Sequence, residues 1–157
     1  MTIDIRILTA AQGGEAQLDQ ALEALAHQLK GHADVKFMVQ GASFFTMPAP
    51  DTQRVLVSIV GWNGSAPATL RSFDQALPGG VTLKAKGSFT LSDADAPALL
   101  QLVQRSSAME VALRTPQAGQ DEAFLREWER FFNVVRQQPG FVFEQELLAA
   151  EGPVRAV

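Results

Sequence analysis

The hydrophobic period of this chain switches from two residues to about 3.6 and back, and it does so at two separate places. Ile3, Ile5 and Ile7 alternate with Asp4 and Arg6, the pattern of a half-buried strand. Leu18, Leu22, Leu25 and Leu29 then recur at helical spacing, which gives one apolar helix face. Gly31 is placed to end that helix. Val35, Phe37 and Val39 alternate as a second strand, and Pro48 and Pro50 punctuate the turn after it. The run RVLVSIV, Arg54 to Val60, is a third strand. GWNGSAP then leads into a helix, with Ser65 or Asn63 as its cap and Pro67 in its first turn. Leu70, Phe73 and Leu77 form the inward stripe of that helix. Val81, Leu83 and Ala85 open a fourth strand that extends toward Leu91. The order β-α-β-β-α-β is the split βαβ pattern of a ferredoxin-like unit, spanning residues 1–91.

Residues 92–107 read as a connector helix. Ser92 and Asp95 have the spacing of a capping pair, and Leu99, Leu100 and Val103 follow. The period-two pattern then returns at Met109, Val111 and Leu113. Shifted by 106 positions, the start of the first unit falls into register here: Ile3, Ile5 and Ile7 land on Met109, Val111 and Leu113. Leu18, Leu22, Leu25 and Leu29 land on Phe124, Trp128, Phe131 and Val135, while Val35 and Phe37 land on Phe141 and Phe143. Apolar register decides which side chains face a core, so residues 108–157 are expected to form a partial second ferredoxin-like unit, β-α-β. Phe124, Trp128, Phe131, Phe132 and Val135 are assigned to one buried helix face, and Val154 to Val157 to one extra strand. A unit this short leaves sheet surface that a second subunit would cover, which points to a homodimer.

Composition narrows the function. A net charge of −4 and the lack of any basic run disfavour nucleic acid and anionic membranes as partners. The chain has no cysteine, which excludes thiolate metal sites and disulfides. Its two histidines, His27 and His32, have no suitably spaced carboxylates, so no metal is expected. The first residues have no leader pattern and no apolar run reaches the length of a membrane span, so a cytoplasmic protein is the expectation.

The run FLREWERFFNVVRQQPGFVFEQELL, with its helix, Pro-Gly turn and strand, resembles the dimeric α/β-barrel superfamily, and antibiotic biosynthesis monooxygenase-like proteins in particular. VLVSIVGWNGSAPATLRSF resembles a later segment of the same family, in which a strand-end tryptophan precedes a polar turn and a helix. The resemblance implies an α+β dimeric barrel and a cavity between sheet and helices for a small aromatic or polyketide-like molecule. It further implies oxygenation without a cofactor. It carries the family's strand-end tryptophan onto Trp62, with Asn63 as its polar neighbour.

The substrate-binding candidates are therefore Trp62, Asn63, Arg71, Phe44 and Phe37. Trp62 either packs on a planar phenol whose oxygen Asn63 orients, or it closes the end of the sheet. Arg71 either steadies an enolate or phenolate, or is a solvated helix residue. Phe37 and Phe44 line a pocket or a subunit contact. The sequence nominates no catalytic base. The function the resemblance implies is a cofactor-independent monooxygenase-like activity on a small aromatic or polyketide-like molecule; the alternative is a non-catalytic small-molecule-binding or dimeric assembly module.

Overall fold

The computed structural model describes residues 1–42, 54–64, 66–92, 94–105, 109–149 and 155–156. Phe44, Phe45, Pro48, Pro50, Ser65 and the last residues of the expected connector helix lie outside the described residues. The chain is α+β and divides into two compact units, Met1–Ser88 and Phe89–Val157.

Unit 1 runs β1 (Thr2–Ala10), α1 (Glu15–Leu29), β2 (Val35–Ala42), β3 (Arg54–Trp62), α2 (Ala68–Gln75) and β4 (Val81–Thr90), the last crossing into unit 2. The strand order β2-β3-β1-β4, with β3 antiparallel to both β1 and β2, is compatible with a ferredoxin-like fold. The four leucines of α1 are all buried, as their spacing predicts. They pack with Leu8 and Ala10 of β1, Leu56, Val60 and Trp62 of β3, and Leu70 of α2. Gly31 takes a positive φ of 92° just past the Lys30 cap, a backbone state in which a side chain would be strained. The α2 helix starts differently from the expectation. Pro67 is itself the N-cap and no side chain caps the helix; Asn63 instead uses its backbone N–H, which donates to the Asp34 carbonyl at 2.9 Å.

The β1 strand corrects a second expectation. It is buried on both faces rather than one: Ile3 and Ile5 on one side, Asp4, Arg6 and Leu8 on the other. Alternation marks two faces; it does not say that the polar one is wet. Here charged side chains neutralise one another, which removes the usual reason for their exposure.

Unit 2 contains α3 (Ala96–Arg105), β5 (Leu113–Arg114), α4 (Asp121–Val135), β6 (Leu147–Ala149) and β7 (Arg155–Ala156). Ser92 and Asp95 bond reciprocally before α3. The Asp95 N–H donates to Ser92 Oγ at 3.1 Å, and that hydroxyl donates to the Asp95 carboxylate at 2.6 Å. The strands lie in the order β6-β7-β5, and Phe89 and Thr90 at the end of β4 pair with β6. Both strands expected from the sequence are shorter here. Of Met109, Val111 and Leu113 only Leu113 enters a ladder, and the segment after the Pro-Gly turn pairs only from Leu147 onward. Among the described residues β7 offers β5 two partners, Arg155 and Ala156, and β6 pairs with β7 and with the end of β4.

On α4, Phe124, Trp128 and Val135 are half-buried and Phe132 is buried, with ring centroids 5.3 Å apart for Phe124–Trp128 and 5.0 Å for Trp128–Phe132. Phe131, expected on the buried face, is 54% exposed and meets Phe132 edge-on at 5.1 Å. Successive helix residues diverge by roughly 100°, so two neighbouring phenylalanines do not share one narrow buried strip. No helix among the described residues is long and apolar enough to cross a membrane.

Candidate functional site

The helix-facing side of unit 1 holds a polar cluster in the middle of an apolar core. Leu8 and Ala10 belong to that core, and period two puts Arg6 and Asp4 on the same face of β1. Across the ladder Arg6 stands opposite Ser58 and Asp4 opposite Val60. Arg6 and Ser58 have no exposed surface, and Asp4 is 3% exposed.

Above them α2 contributes Asp74. The Arg6 Nε–H donates to Asp74 Oδ1 at 2.7 Å and Nη2 to Oδ2 at 3.2 Å. Nη2 also pairs with Asp4 Oδ2 at 3.0 Å. From β4, Lys86 Nζ donates to Asp74 Oδ2 at 2.6 Å and the Ser88 hydroxyl donates to Asp4. Each carboxylate thus lies between two donors, and the two carboxylates match two cations in charge. Burial alone would raise the Asp74 carboxyl, but the hydrogen bonds and charges of Arg6 and Lys86 outweigh it and hold it below its ordinary value. Asp74 is therefore an ionised anchor and a weak base.

Two atoms of this cluster are left over. Arg6 Nη1 and Ser58 Oγ are buried and have no hydrogen-bond partner. A buried polar atom without a partner forfeits about 1–3 kcal/mol.

The structure disperses the residues nominated from sequence. Trp62 lies on the same face of β3 as Ser58, four residues along, and is 3% exposed within the leucine core. Phe37 pairs with Gly61 on the opposite face of the sheet, where its ring covers the glycine. One pocket is therefore not walled by both Trp62 and Phe37. Asn63 is exposed, and so is Arg71, whose Nη1 donates to the Ala66 carbonyl at 3.3 Å. Phe44 lies outside the described residues. His27 is exposed, and His32 Nδ1 accepts from the Asp34 N–H at 3.3 Å. Among the described residues no three His, Cys, Asp or Glu side chains gather where a metal ion would sit.

Asp4, Arg6, Ser58, Asp74, Lys86 and Ser88 were not singled out from the sequence. One signal was available: Ser58 is the one polar residue inside VLVSIV. Its meaning depends on the β1–β3 register, which sets it opposite Arg6. The sequence matches no protein-family model and no curated protein.

Proposed function

We propose that this protein is a small-molecule-binding module that takes a small aromatic or polyketide-like compound between the sheet and the helices of unit 1. The observation that carries the reading is the polar cluster of buried Arg6, Asp4 and Ser58 under half-buried Asp74, set beside apolar side chains and left with unmet hydrogen-bonding capacity. An apolar surround with a few convergent polar groups is the usual make-up of a small-ligand site. It lies where the family resemblance expects substrate, between sheet and helices.

A cofactor-independent monooxygenase is the second reading, favoured by the buried guanidinium, which would steady a phenolate. The state of Asp74 argues for binding without chemistry: a general base works best with its pKa near the operating pH, and Asp74 is held low. Calorimetric titration with dihydroxynaphthalene and anthrone, run beside an oxygen electrode, separates the readings. Saturable binding without oxygen uptake supports the module. Steady oxygen uptake that saturates with substrate would establish the oxygenase, and no binding would refute both.

The resemblance also supports a repeat and a homodimer. In unit 2 the order β6-β7-β5 follows the order β2-β3-β1 of unit 1, and α4 joins β5 to β6 as α1 joins β1 to β2. Phe131 and Val134 on α4, together with Val142, are each more than half exposed, which suits contact with a second copy. A sedimentation mass of one chain at micromolar concentration would refute the dimer.

A further inference from the structure

The bend between β3 and α2 carries a reactive dipeptide, Asn63-Gly64, that the polar cluster does not use. Both residues are exposed. Gly64 has a φ of 77°, and no side chain of its own shields its backbone nitrogen. Around the position where a Cβ would stand, the nearest atoms beyond its chain neighbours belong to the Asp34 carboxyl, at 3.9 Å. Asn63 is held by its main chain, whose N–H donates to the Asp34 carbonyl at 2.9 Å. Its side-chain amide has no hydrogen-bond partner among the described residues and is free to turn.

The chain has one other asparagine, Asn133, and its setting is the opposite. Asn133 lies inside α4, where backbone hydrogen bonds fix the dihedrals that bring a side chain toward the next nitrogen. Its Oδ1 accepts from Arg136 Nη1 at 2.9 Å. The residue after it is Val134, whose branched Cβ crowds any approach to the backbone nitrogen. One asparagine is therefore open to attack by its neighbour and the other is locked.

We propose that Asn63 is a self-modification site, at which the folded protein converts Asn63-Gly64 through a succinimide to isoaspartate and aspartate. The Gly64 nitrogen attacks Asn63 Cγ. An N–C bond forms and the bond from Cγ to the amide nitrogen breaks; the Gly64 N–H proton leaves with that nitrogen as ammonia. Water then opens the ring. Opening at Cγ gives aspartate, and opening at the main-chain carbonyl gives isoaspartate, with the chain rerouted through the β-carbon. Water is the one co-reactant, and nothing is oxidised or reduced. Either product puts a carboxylate in place of a neutral amide close to Asp34. Isoaspartate also lengthens by one carbon the main chain leading into α2, the helix whose Asp74 holds Arg6. The reaction is independent of any ligand in unit 1.

The test uses the full chain without substitution, held folded at neutral pH well below its unfolding temperature and sampled over days. A parallel sample is kept unfolded in urea. Each sample is digested with trypsin under slightly acidic conditions, and mass spectrometry follows peptide 55–71, which contains Asn63, and peptide 131–136, which contains Asn133. In the folded protein, peptide 55–71 is expected to gain the mass of an amide-to-acid exchange at least about tenfold faster than peptide 131–136, because the helical asparagine must first open a backbone hydrogen bond. Its product is expected to separate into two chromatographic peaks, isoaspartate and aspartate. Equal rates for the two peptides in the folded protein would overturn the proposal. So would an Asn63 that changes in urea but not in the folded chain, since the bend would then protect it. A single aspartate peak would mean direct hydrolysis by water and would overturn the succinimide route.

Discussion

Asp74 grips Arg6 through two hydrogen bonds, to Nε at 2.7 Å and to Nη2 at 3.2 Å, and so brings a helix carboxylate onto a strand guanidinium that has no exposed surface. The pair ties α2 to β1 across the middle of the core. It also fixes which way Nη1 faces.

Removing one partner of a buried pair leaves the other charged and unmatched, which costs about 3–5 kcal/mol. Asp74→Asn keeps the shape and loses the charge. Because an amide oxygen still accepts one bond, the expected loss is near the lower end, about 3 kcal/mol, read from urea unfolding. A loss under about 0.5 kcal/mol, the size of a surface effect, would show that the pair is not buried in solution.

The same carboxylate predicts an acid sensitivity. Its pKa in the folded protein is lowered from the ordinary 3.8, so the unfolded chain takes up the proton first. The stability Asp74 contributes is complete above that ordinary value and is lost as pH falls through the lower folded value. Unfolding free energies followed from about pH 6 to about pH 2.5 are expected to fall more steeply for the unsubstituted protein than for Asp74→Asn. Parallel curves would contradict the assignment.

Much of unit 1 was legible in its residues. The spacing of Leu18, Leu22, Leu25 and Leu29 alone fixes which side of α1 is buried, because a helix stripe needs no partner to be recognised. The polar cluster was not legible. Asp4 and Arg6 have the local pattern of a wet strand face, and only the pairing of β1 with β3 and the descent of Asp74 from α2 make them a buried network. In unit 2, Phe141, Val142 and Phe143 have strand-forming side chains, yet the chain pairs only from Leu147, where β7 supplies a partner. Propensity names a candidate strand; a ladder also needs a neighbour.

Gly61 and Phe37 make a local test of the sheet register. A methyl group at position 61 would overlap the Phe37 ring, its partner in the β2–β3 ladder. Gly61→Ala is expected to cost about 1–3 kcal/mol, the usual range for overpacking. The double substitution with Phe37→Ala should cost clearly less than the sum of the two single changes. Strict additivity in that cycle would place the ring elsewhere.

Arg136 holds the turn after α4. Its guanidinium donates to Glu144 at 2.6 and 3.0 Å and to Glu129 at 2.9 Å, and these carboxylates, Glu144 first, hold its proton more tightly than usual. Arg136→Ala is expected to speed amide exchange across residues 137–144 at low salt. Raising the ionic strength should move the unsubstituted protein toward the variant, since exposed pairs are screened. Unchanged exchange would leave the turn to Pro139 and Gly140 alone.

The most direct test of a small-molecule site in unit 1 is a map of amide chemical shifts during titration with dihydroxynaphthalene. Saturable shifts centred on Asp4, Arg6, Ser58 and the Leu70–Asp74 turn of α2 are the predicted result. Shifts that stay away from those residues, or a spectrum that does not respond, would contradict it.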